Sequence, residues 1–158
     1  MDTTQHVREY LRGFDAEDRV IEFTVSSATV TLAAQALGCE EGRIAKTLSF
    51  MAGEEPVFVV AAGDQKIDNS KYKKQFGTKA KMMTAEQLES IAGLHFGGVC
   101  PFGLPENVPV YLDESLKAWD VVYPAAGTEA SAVRVTPQEL EVFSKAKGWV
   151  DVTKPIAG

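Results

Sequence analysis

The sequence predicts a mixed α/β domain whose sheet is curved and largely antiparallel. Apolar and polar residues alternate along several short segments, which is the pattern of strands with one buried face. Short helical segments with capping residues lie among about six or seven of these strands. The two longest strands are joined by the short turn AGEEP, and such a hairpin does not fit a doubly wound fold built from repeated crossovers.

The first elements are indicated by residue spacing and by residues at their ends. Three apolar residues would share one face of a helix over residues 4–13, and the alternating segment 20–25 predicts a strand. The segment SATVTLAAQALG then predicts a helix that is capped by Ser27 and ends at Gly38.

The segment GRIAKTLSF, residues 42–50, predicts the first strand of the hairpin and places a lysine in an apolar row. Alternation puts Lys46 in line with Ile44, Leu48 and Phe50, which would face the core. A lysine there can extend its stem along apolar surface until the ammonium group reaches water, or it can pair with a carboxylate. It can instead project into a pocket and offer three donors to a carbonyl, phosphate or carboxylate. Periodicity alone favours the extended stem.

Later elements have clear boundaries. A short helix would follow Asp68 and end before Gly77, and two more helices begin with Thr-x-x-Gln and Thr-Pro-x-Glu capping boxes. The boxes pair Thr84 with Gln87 and Thr136 with Glu139. Three further strands are predicted at VPVYLD, WDVVYPA and SAVRV.

Residues 96–109, FGGVCPFGLPENVP, form a loop that is too long for a tight turn and too rich in glycine for a regular element. Gly97 and Gly98 let the backbone approach a ligand closely, while Pro101 and Pro105 stiffen the segment. A rigid loop of amides opposite an ammonium group could bind a carbonyl whose oxygen gains charge during acyl transfer. Alternatively, the loop only covers one end of the sheet.

Composition and charge bound the class of protein. The chain has 158 residues, 45% hydrophobic and 24% charged, which suits a single domain over residues 1–158. No apolar run approaches the roughly 20 residues that cross a bilayer, and no signal peptide is evident, so we expect a cytoplasmic protein without a membrane partner. The net charge of −6 argues against a protein that coats DNA or other nucleic acid non-specifically.

Positive charge is nevertheless concentrated between Lys66 and Lys81, where six lysines accompany one acidic residue, Asp68. This cluster is either a solvated helix face or a local patch that binds a polyanion.

The chain has few cysteine and histidine residues that could bind a metal or act in catalysis. The two cysteines and two histidines are scattered, which supports neither a metal site nor a disulfide, and we expect no metal and no cofactor. Cys100 lies in the glycine–proline loop with His95 five residues earlier, which allows a thiol hydrolase as an alternative. No third orienting group is evident, so we expect Cys100 to fill apolar space.

Four segments resemble the YbaK family, also called the prolyl-tRNA synthetase-associated or insertion-type editing domain. They are AAQALGCEEGRIAKTLSF, VVAAGDQKIDNSKYKKQFG, GGVCPFG and VYPAAGTEASAVRVTPQEL. They follow the family's order from about residue 20 to residue 145 and together are specific. The resemblance implies a barrel-like sheet surrounded by short helices, and hydrolysis of mischarged aminoacyl-tRNA, often tRNA(Pro) bearing cysteine or alanine.

The resemblance also implies a set of site residues. Lys46 aligns with the family's key lysine and would be the catalytic residue, binding the substrate by its carbonyl or terminal phosphate. The other expected substrate-binding residues are Thr47, Gly97, Gly98, Val99, Pro101, Gly127 and Thr128. The expected tRNA contacts are Lys71, Lys73, Lys74 and Lys79.

The sequence thus predicts a free-standing deacylase that removes a small amino acid from a mischarged tRNA. Its partners would be the acceptor end of an aminoacyl-tRNA and, as a further possibility, an aminoacyl-tRNA synthetase. The alternative is a module of the same fold that binds an aminoacyl-tRNA or a synthetase without catalysis. Some family members carry an aspartate where this chain has Ala132, so their substrate preference does not transfer.

Overall fold

A computed structural model of the chain describes residues 3–26, 29–96 and 98–156. Its helices are short, and in the described part of the chain none has the length and apolar content to cross a membrane. Single turns of 3-10 helix at 17–19, 41–43 and 114–118 connect other elements. The α-helices are α1 (Thr3–Arg12), α2 (Val30–Leu37), α3 (Asn69–Phe76), α4 (Ala85–Ala92) and α5 (Pro137–Ser144).

The predicted caps are confirmed for the last three helices. Asp68 accepts a hydrogen bond from the backbone N–H of Lys71 at 3.0 Å, and both capping boxes are formed. The prediction for α2 needs a correction. Ser27 lies outside the described residues, and the N-cap is Thr29, whose hydroxyl accepts from the N–H of Leu32 at 3.1 Å.

Nine strands lie in the described part of the chain, more than the six or seven that were predicted. The predicted strands at 20–25 and WDVVYPA are shorter than expected, and three strands of three residues each were too short for alternation to reveal them. The strands are β1 (Val20–Glu22), β2 (Ile44–Ala52), β3 (Glu55–Ala62), β4 (Gln65–Ile67), β5 (Val110–Asp113), β6 (Tyr123–Pro124), β7 (Ser131–Val133), β8 (Gly148–Val150) and β9 (Thr153–Pro155).

The predicted mixed α/β fold with a curled sheet is confirmed. Five strands form one sheet in the order β6-β2-β3-β5-β8, while β1 pairs with β7 and β4 pairs with β9. The β2–β3 hairpin carries the longest ladder, from Ala45–Ala62 to Ala52–Glu55, and it is antiparallel like the two small sheets. The other three pairings of the five-stranded sheet are parallel, so this sheet is mixed, which corrects the prediction of a largely antiparallel one.

The hairpin is buried on both faces, which explains why β3 reads as a continuous apolar run. One face, with Phe58 and Val60, joins the main core formed with α1, α4 and α5. The opposite face carries two smaller clusters. Ile44 packs against α2 in one of them, and Phe50 packs against Tyr72 of α3 in the other.

The predicted row of Ile44, Lys46, Leu48 and Phe50 therefore faces away from the main core and spans the two smaller clusters. Ile44 and Phe50 are buried, each under its own helix, whereas Lys46 and Leu48 between them are only half-buried. A gap between two helix-packed clusters is thus the place where the chain presents an ammonium group.

Candidate functional site

Lys46 lies at the centre of the candidate site. Its ammonium group donates a hydrogen bond to the backbone carbonyl of Gln65, at the start of β4. Burial lowers the pKa of the Lys46 ammonium, and the nearby Asp64 carboxylate opposes this by raising it. An ammonium offers three donors, so a ligand can accept from those that Gln65 does not engage.

A cavity of about 230 Å³ opens beside Lys46. Side chains from α2, β2, the 96–99 segment and the 123–132 segment line it, and most of them are apolar. Lys46 is the only charged side chain among the described residues of this lining. Apolar walls lower the local dielectric, so the Lys46 charge would act more strongly on a polar ligand here than in water.

The edge of β2 is open where it meets the cavity. On this side β6 pairs with Ile44 and Ala45, while Met51 and Ser49 are hydrogen-bonded to the 81–83 segment. Between these contacts, no strand of the described residues pairs with this edge of β2, while β3 pairs with the other edge. Backbone groups alternate in direction along a strand, so the N–H and C=O of Thr47 point to the same side as those of Ser49 and Met51.

Thr47 itself lines the cavity, but its hydroxyl is enclosed. The Oγ1 is buried and has no hydrogen-bond partner among the described residues. Side chains alternate along a strand, so this hydroxyl points to the face opposite Lys46. Thr47 can therefore bond to a ligand through its edge-facing backbone groups.

The glycine–proline loop forms the opposite wall. Val99 lines the same cavity as Lys46, whereas Pro101, two residues later, is buried and is not part of the lining. Gly97 lies outside the described residues. Gly98 is packed so closely that an added Cβ would lie 2.6 Å from the carbonyl oxygen of Gly127. The two predicted glycine segments are therefore in direct contact with each other.

Hydroxyl groups organise the segment that Gly98 contacts. Gly127 has a φ of 93°, which favours glycine, and Thr128 follows it. The Thr128 hydroxyl accepts from Thr4 of α1 at 3.1 Å and donates to Ser131 at 3.0 Å. Ser131 lines the cavity, whereas Gly127 and Thr128 lie one layer behind it. The predicted residues of this segment thus support the wall rather than form its surface.

Among the lining residues that the sequence did not predict, two are large, apolar and exposed. Met82 and Phe96 both line the cavity, although 48% of the Met82 surface and 54% of the Phe96 surface are exposed. Large apolar side chains at the surface beside a cavity are typical of ligand-binding sites. Phe96 directly precedes the Gly-Gly pair. Its exposure marks it as a candidate site residue, and exposure depends on tertiary packing that the sequence pattern does not reveal.

The thiol alternative has no support in the structure. Cys100 is 1% exposed and belongs to the main core, and its Sγ lies 3.8 Å from the carbonyl oxygen of Phe102. Burial raises the pKa of this thiol to about 11, so the nucleophilic thiolate is scarce at neutral pH. His95 is exposed. The expectation that Cys100 fills apolar space is confirmed.

The lysines expected to contact tRNA differ in their surroundings. Lys73, Lys74 and Lys79 are exposed. Lys71 is half-buried and donates to the carboxylate of Asp151 at 3.0 Å and to the carbonyl oxygen of Thr153 at 2.9 Å. Lys71 therefore already fixes the C-terminal segment.

The match to a family model shows that the chain belongs to the aminoacyl-tRNA editing domain family, across residues 24–143. An uncharacterized protein of Bacillus subtilis, YwhH, is 47% identical over 94% of this chain and 95% of its own length. EbsC of Enterococcus faecalis, which is assigned but not demonstrated as a Cys-tRNA(Pro)/Cys-tRNA(Cys) deacylase, is 32% identical over 68% of this chain and 66% of its own length.

A solved structure gives the same result for the fold. A candidate trans-editing enzyme for prolyl-tRNA synthetase superposes with a TM-score of 0.88 at 30% identity, covering 98% of each chain. Proline–tRNA ligases also match, among them that of Limosilactobacillus fermentum, which is 33% identical over 60% of this chain but only 18% of the ligase. The resemblance identified from the four sequence segments is therefore confirmed.

The close contact of Gly98 gives a first prediction. In Gly98→Ala the added methyl group would collide with the backbone at Gly127 and Thr128, so we expect a loss of about 2 kcal/mol in the free energy of unfolding. Gly148→Ala is the matched control, because an added Cβ there meets nothing within 4 Å. Its stability should change by less than about 1 kcal/mol in urea denaturation. Equal stability of the two variants would contradict the close packing.

Proposed function

We propose that this protein is a free-standing deacylase that hydrolyses the ester of mischarged tRNA carrying a small amino acid. The observation that supports it most is Lys46, the one charged side chain that the described residues contribute to a cavity faced by a glycine-rich loop. Family membership supplies the reaction class. Cysteine or alanine on tRNA(Pro) is the proposed substrate, and the assignment of EbsC supports cysteine.

The chemistry requires polarisation of the ester carbonyl and a nucleophile held close to it. Lys46 would donate to the carbonyl oxygen or the terminal phosphate, while Gln65 holds the ammonium from the other side. The N–H of Gly98 already donates to the backbone carbonyl of His95 at 3.1 Å, so of the two glycines we assign the oxyanion role to the amide of Gly97. Thr47 and Val99 would hold the aminoacyl group. A water molecule, the neighbouring ribose hydroxyl or the substrate's own side chain would then attack.

Such an activity would compensate for the limited ability of a synthetase to distinguish similar amino acids by binding alone. A binding pocket rejects an amino acid that lacks one methylene by only about 1–3 kcal/mol, so a second hydrolytic site is needed. We place this activity in the cytoplasm, where aminoacyl-tRNA is used, and a synthetase is a further proposed partner.

We also propose that the domain extends over the whole of residues 1–158, beyond the family match. Thr4 of α1 bonds to Thr128, and β9 pairs with β4. Helix α1 and strand β9 therefore contact elements that support the site.

The exposed ring of Phe96 is proposed to stack on the terminal adenine of the tRNA. It lies at the cavity with Met82, which follows the exposed Lys81 in the chain. A base beside this ring would leave the attached ester pointing into the cavity. The exposed Lys73, Lys74 and Lys79 would contact phosphates of the acceptor stem, with Lys71 contributing less because it is engaged.

Replacement of Lys46 tests the proposal directly. Lys46→Ala removes the charge that would polarise the ester, so kcat/KM for a mischarged tRNA should fall by about 100-fold or more. A panel of mischarged tRNAs should be used, with Lys117→Ala as a control that removes a lysine paired with Glu114 outside the cavity. A wild-type chain that binds these tRNAs but deacylates none would instead support the non-catalytic module.

The proposed role of Phe96 predicts that its replacement changes KM and not kcat. Stacking on one base contributes about 1–3 kcal/mol, so Phe96→Ala should raise KM about tenfold and leave kcat nearly unchanged. Phe96→Tyr keeps the ring and should behave like the wild type. Val142→Ala is a control, because Val142 is 59% exposed on α5. An unchanged KM for Phe96→Ala would exclude the stacking role.

The lysine cluster predicts salt-dependent binding. Replacing Lys73, Lys74 and Lys79 by glutamine should weaken tRNA binding and reduce the salt slope by about 0.7–0.9 for each phosphate that these lysines neutralise. Replacing Lys117, Lys145 and Lys147 removes the same charge from other parts of the chain and should have a smaller effect. The role is refuted if the two triple variants show the same affinities across a salt series.

A further inference from the structure

We propose that the C-terminal strand β9 is a positioning element for Lys46 and acts through the carbonyl group of Gln65. This inference rests on the proposed function, because it assigns Lys46 a catalytic role. Strand β9 (Thr153–Pro155) lies beyond residues 24–143, which the family model matches. It nevertheless pairs with β4, the strand that supplies the acceptor for the Lys46 ammonium.

The register of β4 and β9 sets the direction of the Gln65 carbonyl. The backbone carbonyl of Asp64 accepts from the N–H of Ile156 at 3.0 Å, and the N–H of Asp68 donates to the carbonyl of Val152 at 2.8 Å. Asp64 and Asp68, on either side of β4, therefore turn these backbone groups towards the β9 segment. Backbone groups alternate along a strand, so those of Gln65 point the opposite way, where Lys46 meets the carbonyl.

A buried carboxylate fixes β9 in this place. Asp113, at the end of β5, is 1% exposed and accepts from the N–H of Val152 at 2.8 Å and from the hydroxyl of Thr153 at 2.7 Å. Thr153 is itself 4% exposed, and its hydroxyl lies 3.4 Å from the side-chain oxygen of Gln65. Hydrogen bonds to a charged group contribute about 1.5–3 kcal/mol each, so this is a firm anchor.

The residue that follows β9 also holds Asp64, whose charge acts on Lys46. The Asp64 carboxylate acts on the Lys46 ammonium, and the backbone of Asp64 is bonded to Ile156. Lys71 adds a bond from α3 to the carbonyl oxygen of Thr153. Contacts from β5, α3 and β4 thus meet on β9, and through Gln65 and Asp64 they reach Lys46.

A double-mutant cycle distinguishes positioning from general stabilisation. Thr153→Val removes the hydroxyl at nearly constant volume, and Thr153→Ser keeps it. Deacylation of mischarged tRNA is measured for both, and for a chain that ends at Val152, each with Lys46 and in the Lys46→Ala background. We expect Thr153→Val and the truncation to lower kcat by about tenfold or more when Lys46 is present, and Thr153→Ser to restore it.

In the Lys46→Ala background the same changes should alter kcat by less than about twofold, because the group they position is absent. An equal loss in both backgrounds would show that β9 only stabilises the fold, and the inference would be wrong. Thermal unfolding of each variant shows whether it folds. If the truncated chain does not fold, the comparison of Thr153→Val with Thr153→Ser tests the inference.

A second measurement does not depend on activity. Acetic anhydride labels lysine side chains, and mass spectrometry compares Lys46 with the exposed Lys66 in the same sample. Thr153→Val should raise the labelling of Lys46 severalfold, and Thr153→Ser should not. If the wild-type chain deacylates no tRNA, the proposed function fails while this result still tests the positioning. Unchanged labelling in Thr153→Val would overturn the inference.

Discussion

An ammonium group cannot stay in an apolar cavity without an acceptor, and the carbonyl of Gln65 meets this requirement for Lys46. The rest of the site depends on this contact. It fixes the direction of the side chain and keeps the charge beside the cavity that Val99 lines on the other side. Burial lowers the pKa of Lys46, while Asp64 favours the charged form. The environment thus offers a cation that is poorly solvated and ready to interact with a polar ligand.

The cavity exists because the hairpin is covered unevenly on its outer face. Helix α2 covers the end at Ile44, helix α3 covers the end at Phe50, and the middle of β2 is left between them. At the same place the edge of β2 has no pairing strand among the described residues, so its backbone at Thr47 is accessible from the side. The gap in side-chain packing and the gap in strand pairing lie at the same place. The glycine–proline loop lines the cavity there.

Much of this could be predicted from the sequence, for identifiable reasons. The hairpin and the capped helices follow from local patterns, and the choice of Lys46 as the candidate site residue follows from family motifs. The acceptor Gln65 could not be predicted, because it lies on a strand of three residues whose partner β9 is equally short. The exposure of Phe96 and the contact of Gly98 with Gly127 depend on tertiary packing of a loop, which has no periodicity to read.

The burial of Cys100 has a consequence for the conditions in which this protein can work. Oxidants attack exposed thiolates first, and Cys100 is enclosed by the core with its thiol protonated at neutral pH. The more accessible Cys39 lies at the end of α2 and does not line the cavity. Peroxide that inactivates enzymes with a catalytic cysteine would therefore act at this cavity on the exposed thioether of Met82, and on neither of the two cysteines.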